Sequence, residues 1–170
     1  MKRLFLLVII SITTATTGVH SQTYKWWAGG RGTLWTGDAG ATYVFAPEVG
    51  YHLSPKWTIA SSLGIQANNY KQGKDIYGLT VNPYMRYTAF KQGIVLGFID
   101  GGVDFGLGDI EGFQIGFKPG IAILLSERFT AATQFGFIGF NDGKAIGIRK
   151  HGFGFDLSGY CSTIAFFYSF

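Results

Sequence analysis

Much of the chain alternates apolar and polar residues with a period of two, the pattern of strands with one oily and one polar face. Three prolines, Pro47, Pro83 and Pro119, stand 36 residues apart. The runs that begin at them, Pro47–Leu53, Pro83–Ala89 and Pro119–Leu125, share one register: odd positions are apolar, and even positions carry charges, an imidazole or small residues. Each run ends in a polar turn, Ser54-Pro55-Lys56, Lys91-Gln92-Gly93 or Ser126-Glu127-Arg128, and a new alternating run starts at Trp57, Ile94 or Phe129. Ile164–Phe170 repeats the run at a longer interval, so the extra residues are expected in the preceding Gly- and charge-rich stretch Asn141–Gly152.

Counting these runs predicts eight strands, near Trp26–Trp35, Thr42–Leu53, Trp57–Gln66, Tyr77–Phe90, Ile94–Phe105, Phe113–Leu125, Phe129–Phe140 and Ser158–Phe170. Three short turns alternate with four longer loops, and no amphipathic helix of useful length interrupts them. Repeated hairpins predict up-and-down antiparallel topology, and an even number lets the sheet close and lose its edges.

Which face points inward decides the environment of such a barrel. On strands two to eight the charged residues Glu48, Arg86, Asp100, Asp104 and Lys118 are all even-numbered, as are His52, Asn82, Tyr84, Thr88, Gln114 and Gln134. The odd face runs from Tyr43, Phe45 and Val49 through Ile59, Leu63, Leu79, Met85, Ile99, Ile115 and Phe117 to Phe129, Phe135 and Phe137. With the odd face inward, the outer wall would bear five charges over some seven strands, whereas about a quarter or more of a soluble surface is charged. An eight-stranded interior is also barely wide enough for side chains. The opposite orientation turns the rings to hydrocarbon and the charges to the axis. The expected fold is therefore all-β: an eight-stranded antiparallel up-and-down transmembrane β-barrel, its strands long enough for the roughly 9–11 tilted residues that cross a bilayer.

Tyr51, Trp57, Tyr87 and Phe129, with Tyr168 and Phe170, cluster at the short turns and are expected to form a membrane-interface girdle. Phe105, Phe113, Phe137 and Phe140 are expected to form the opposite belt. Gly50, Gly102, Gly116 and Gly136 are expected to make room in the lumen for Arg86 and Tyr84. On strand one, Arg31 places Trp27 and Trp35 on the lumen side.

Composition sharpens the picture. Of 170 residues only 14% are charged and 17% are aromatic, with 26 glycines and one cysteine. That excludes a disulfide framework and a Cys-based zinc cluster. Lys2-Arg3, the apolar run Leu4–Ile12 and the small residues after it predict a cleaved secretory signal peptide over residues 1–21, leaving one barrel domain over 22–170. Two of the excess positive charges fall in that leader, so the remaining chain is nearly balanced and no nucleic acid is expected as a partner.

The leader, the eight alternating runs, the Pro-x-x-Gly-Tyr at Pro47–Tyr51 and the terminal run ending in Phe170 resemble the small outer-membrane β-barrel family of Gram-negative bacteria, the group of the OmpX proteins and the OmpA membrane domain. The resemblance implies location in the cell outer membrane among its lipids and lipopolysaccharide, as a monomer without cofactors. It also implies that the barrel-assembly machinery reads the last strand through Ile164, Phe166, Tyr168 and Phe170. Unlike OmpA, no peptidoglycan-binding domain is expected after the barrel.

Inside, parity collects Arg31, Arg86 and Lys118 with Glu48, Asp100 and Asp104, three of each sign. An unpaired charge in a confined interior costs several kcal/mol, so pairing is expected. Arg86 lies one strand from Asp100 and two from Glu48 and Lys118, and a guanidinium can bridge two carboxylates. Arg86 is expected to centre a cross-lumen network that plugs the barrel. The leading functional expectation is a non-enzymatic outer-membrane barrel with a structural or surface-interaction role. The alternative is a narrow channel for ions or small solutes gated by the same network. A third is a lipid A-modifying enzyme, because His52, Ser54 and Glu48 supply a base, a hydroxyl and a carboxylate. His52 faces the lumen at the turn end, the wrong side and depth for lipid. His151 is read as part of a solvated loop with Arg149 and Lys150, two separated histidines make no metal constellation, and Cys161 is read as a packed small residue. The loops carry Lys71, Lys74, Lys144, Arg149 and Lys150 against Asp38, Asp75, Asp109, Glu111 and Asp142, and the run Ile148–His151 could meet lipopolysaccharide phosphates.

Overall fold

The computed structural model describes residues 24–37, 40–70, 74–142, 151–157 and 163–170. The leader and the readings on Asp38, Lys71, Lys144, Arg149, Lys150, Cys161 and the Trp35 side chain lie outside the described residues. Ten strand segments are present among the described residues: β1 (Trp26–Gly37), β2 (Gly40–His52), β3 (Trp57–Tyr70), β4 (Ile76–Gln92), β5 (Val95–Gly108), β6 (Gly112–Leu124), β7 (Phe129–Gln134), β8 (Phe137–Asp142), β9 (His151–Asp156) and β10 (Thr163–Ser169). β7 and β8 are two halves of one stave, and β9 and β10 two halves of the next. The eight staves form a closed antiparallel barrel: β1 to β6 pair in sequence order, β6 pairs with β7 and β8, β8 with β9, β7 with β10, and β10 with β1.

Strand existence and order match the expectation from alternation; two boundaries do not. The last stave begins at His151, not Ser158, so Phe153 and Phe155 belong to a strand that pairs with β8. The seventh stave is broken by a bulge. Gly120 opposes Gln134 but Phe117 opposes Ile138, one residue out of step, and between them Gly136 takes a left-handed φ of 108° that favours glycine. A single extra residue inverts which positions face inward. Phe137 therefore leaves the outer face assigned to it and turns into the barrel, where it is 1% exposed, while Ile138 points out.

The prolines explain where the ladder gives way. Pro lacks the N–H a ladder needs, and beside each of the three the pairing toward the following stave is interrupted. β2–β3 pairing skips Ala46 and Pro47, β4–β5 skips Asn82 and Pro83, and the bulge lies across from Pro119. Two of the gaps show how groups are satisfied. Asn82 Nδ2 donates to Val103 O at 3.2 Å, and Phe135 N donates to Pro119 O at 3.0 Å.

Inward positions carry the buried polar residues, among them Glu48, Ser62, Asn82, Asp100, Asp104, Gln114 and Asn141. Outward positions carry the exposed apolar ones on every stave, from Leu34 and Phe45 to Ile164 and Phe166. The interior also holds aromatic side chains: Trp27, Tyr84, Phe98, Phe137 and Phe167 are buried. They fit because their neighbours lack side chains. A Cβ on Gly50 would strike the Trp27 indole, one on Gly120 the Phe98 ring, and one on Gly116 or Gly139 the Phe137 ring, all within 2.7 Å. Of the glycines expected to accommodate Arg86 and Tyr84, only Gly102 does so, against Tyr84; Gly136 is the bulge.

Two turns repeat in detail. Ser54 N and Ser126 N donate to Trp57 O and Phe129 O, and each serine Oγ accepts from the backbone N–H groups two and three residues on. At the opposite end Asp109 accepts from Lys74 Nζ at 2.8 Å and from Tyr77 N at 3.1 Å.

Two expectations follow. Phe137→Ala empties a buried site packed against Gly116 and Gly139 and is expected to cost about 3–5 kcal/mol in urea unfolding, while Phe135→Ala on the outer face costs far less. The Lys74 hydrogen bond, then the Tyr77 N–H, hold the Asp109 carboxyl below the usual carboxylate range. A depressed folded-state value means that the staple is present above that range and lost as pH falls through the lowered value. The protection factor of the Tyr77 amide, its exchange corrected for the intrinsic pH dependence, should fall on acidification, and Asp109→Asn should abolish that fall.

Candidate functional site

The six interior ionic groups come from five staves. Arg31 sits on β1 one row from Glu48 on β2, since Gly29 opposes Glu48 and Arg31 opposes Ala46. Arg86 on β4 opposes Asp100 on β5, which opposes Lys118 on β6. Antiparallel register thus sets the expected ions side by side, and the side chains complete three pairs.

Arg86 gives its fork to Asp100: Nε to Oδ1 at 2.7 Å and Nη2 to Oδ2 at 2.8 Å. Bidentate pairs of this kind are the strong, geometrically specific ones. Gln134 Nε2 donates to the same Oδ2 at 2.6 Å. Arg31 Nη1 lies 3.7 Å from Glu48 Oε2, and the Tyr84 hydroxyl donates to Glu48 Oε1. Lys118 Nζ pairs with Asp104, which also accepts from Asn82 Nδ2.

The expected direct bridge by Arg86 from Asp100 to Glu48 is not made. Arg86 Nη2 approaches the Tyr84 hydroxyl at 3.5 Å, and Tyr84 reaches Glu48. Lys118 does not join Arg86 but forms a second cluster with Asp104 and Asn82. The guanidinium is instead boxed by rings: its Cζ is 3.9 Å from the Phe98 centroid, 5.5 Å from Tyr84 and 5.8 Å from Phe167. Cation–π attraction is worth about 2 kcal/mol or more in a desolvated site, so these rings stabilise Arg86 as well as filling space around it.

Parity marked Asn82, Tyr84 and Gln134 as inward but did not assign them to the network; they could have been found from their registers beside Glu48, Asp100 and Asp104. Phe98 breaks the even-polar rule and was missed for that reason. A polar row continues past the ions. Ser62 opposes both Glu48 and Asn82, and Gln114 opposes both Asp104 and Asn141. Ser62 Oγ and Gln114 Oε1 are buried without a hydrogen-bond partner.

On the turn side of Arg86 the interior opens into a vestibule of about 60 Å³ floored by Arg86, Phe98, Trp27 and Phe167 and walled by His52, Thr58 and Thr88. The parts weighed as a hydrolytic site are not assembled there. His52 Nδ1 meets Thr58 Oγ1 at 2.8 Å, Ser54 Oγ caps its turn, and Glu48 is engaged by Tyr84 and Arg31. His151 is not in a free loop: it opens β9, its Nδ1 is 3.0 Å from Asp142 O, and its ring stands edge-on to Phe140 at 5.3 Å. No group of three or more metal-ligating residues occurs among the described residues.

The expected girdle residues sit at one end and pair across staves: Trp26 with Tyr51 and Trp57 with Tyr87 at 4.8 Å, and Phe129 with Tyr168 at 5.2 Å. Trp26 was not anticipated. At the far end Phe113 and Phe140 pair at 5.8 Å and Phe105 is exposed, but Phe137 is withdrawn from that belt by the bulge. Ile164, Phe166, Tyr168 and Phe170 all point outward on the closing stave.

If the ions form two clusters, a double-mutant cycle between Arg86 and Asp100 should show a coupling of about 0.5–3 kcal/mol, and one between Arg86 and Asp104 close to none. Arg86→Met alone leaves Asp100 buried with one neutral donor, and is expected to destabilise by about 3–5 kcal/mol. Comparison with known proteins finds no matching family model, curated protein or solved structure.

Proposed function

We propose that this chain is an integral outer-membrane barrel whose plugged interior makes it a rigid scaffold, structural or surface-interacting, rather than a pore. One observation carries the reading: the outer wall is apolar on every stave, while Glu48, Asp100 and Asp104 are buried inside with their cationic partners. A water-soluble barrel would need the reverse, whereas a closed sheet in hydrocarbon satisfies its backbone internally and needs an oily exterior. The leader motif Lys2–Ile12 supports export, and the outward-facing terminal residues Ile164, Phe166, Tyr168 and Phe170 suit recognition by an assembly machinery.

The plug reading rests on the Arg86 assembly. Phe98, Trp27 and Phe167 close the vestibule around a guanidinium already tied to Asp100. The interior ions are balanced in sign and paired, so nothing in them selects a permeant ion.

The test joins location, folding and conductance. The protein should fractionate with outer membranes and resist carbonate extraction, and its folded form should migrate ahead of the boiled form on gels. Planar bilayers containing it should show no sustained current. Recovery from the soluble periplasmic fraction would refute membrane integration; steady open currents would refute the plug and favour the channel.

A further inference from the structure

Cations are distributed unequally along the barrel axis. Among the described residues, those inside or at the loop end are all in ion pairs: Arg31, Arg86 and Lys118 in the interior and Lys74 with Asp109. The four at the turn end, Lys25, Lys56, Lys91 and Arg128, are exposed and in none. Among the described side chains at that rim, Glu127 is the one carboxylate.

Their placement follows a rule. Lys25, Lys56 and Arg128 each immediately precede an outward ring, Trp26, Trp57 and Phe129, and each of those rings belongs to a cross-stave pair. Lys91 follows exposed Phe90 on a further stave pair. Arg128 is also fixed in direction. Its Nε donates to Tyr24 Oη at 3.0 Å and its Nη1 to Tyr168 Oη at 2.9 Å, which leaves Nη2 free. A cation one residue outside an aromatic belt stands where a bilayer carries its headgroups, just beyond the depth where such rings settle.

We propose that the turn rim is a binding belt for anionic phospholipid headgroups of the leaflet it faces, the lysine ammoniums and Arg128 Nη2 contacting phosphodiester oxygens while the ring pairs pack on the glycerol and upper acyl region. The inference rests on the membrane reading above. Charge complementarity favours acidic over zwitterionic lipid, since basic residues at a membrane surface attract anionic headgroups and do so less as salt rises. The loop end offers no such set among the described residues: Asp75, Glu111 and Asp142 accompany the Lys74–Asp109 pair there.

The test uses the folded full-length barrel in phosphatidylcholine vesicles and in vesicles with about 30% phosphatidylglycerol, reading boundary lipid with spin-labelled analogues of each. Wild type should prefer phosphatidylglycerol roughly five-fold at low salt. The preference should fall to near parity in a K25Q/K56Q/K91Q variant and stay unchanged in K74Q. Arg128 is left intact because it ties Tyr24 to Tyr168. Parity in wild type, or a preference that survives the triple variant, would overturn the belt. So would equal protection of the rim by inorganic phosphate or by a poly-glutamate peptide in detergent, which would indicate a free-anion or acidic-protein site. Failure to insert into either vesicle would instead overturn the membrane reading.

Discussion

The barrel depends on one constraint: eight staves enclose a space only wide enough for side chains, so whatever enters must be neutralised and fitted. Six ionic groups enter and leave as three pairs. Rings enter only where a neighbouring stave offers a glycine, as Gly120 does for Phe98 and Gly50 for Trp27. The glycines that would weaken an ordinary strand are here the negative of the aromatic plug. Arg86 joins the two kinds of filling, since it is salt-bridged to Asp100 and stacked on Phe98. Electrostatic and steric closure of the interior thus coincide at one side chain.

The recurrent prolines trade ladder bonds for shape. Each breaks pairing toward the following stave, and the breaks beside Pro83 and Pro119 are resolved in different ways. Beside Pro83 the side chain of Asn82 serves the Val103 carbonyl while also donating to Asp104, so one residue repairs the sheet and anchors an ion. Beside Pro119 the opposing stave bulges and Phe137 swings inward over Gly116 and Gly139. A repeat that looks regular in the sequence therefore ends in an exception that fills the upper interior.

Much of this arrangement is legible in the amino-acid sequence. Parity separates the two faces along most of β2 to β6, where the period of two holds up to the β4 irregularity between Thr88 and Phe90, and it places Glu48, Arg86, Asp100, Asp104 and Lys118 inside. Parity failed at Phe137 because Phe135-Gly136-Phe137 reads as continued alternation; only a left-handed glycine, invisible in a composition pattern, reveals the extra residue. It misplaced the start of the last stave because Phe153 and Phe155 alternate with glycines that resemble a loop. The direct Arg86–Glu48 bridge failed for a different reason. Counting strands gives neighbours but not reach, and the Tyr84 hydroxyl reaches Glu48 first.

Charge balance along the axis bears on what the molecule can do with its two ends. A conducting barrel gains from an interior field that draws one sign of ion inward, as rings of like charge do. Here the interior sums to zero and is tied up in bonds. The unpaired positive charge of the described residues is instead displaced to the turn rim, outside the ring pairs. Along the axis, Arg86, paired with Asp100 and packed on Phe98, lies between that rim and the far end. On the reading proposed above, the rim charge acts sideways, on what surrounds the barrel at that depth. The same segregation that neutralises the described interior leaves the rim holding the unpaired cations.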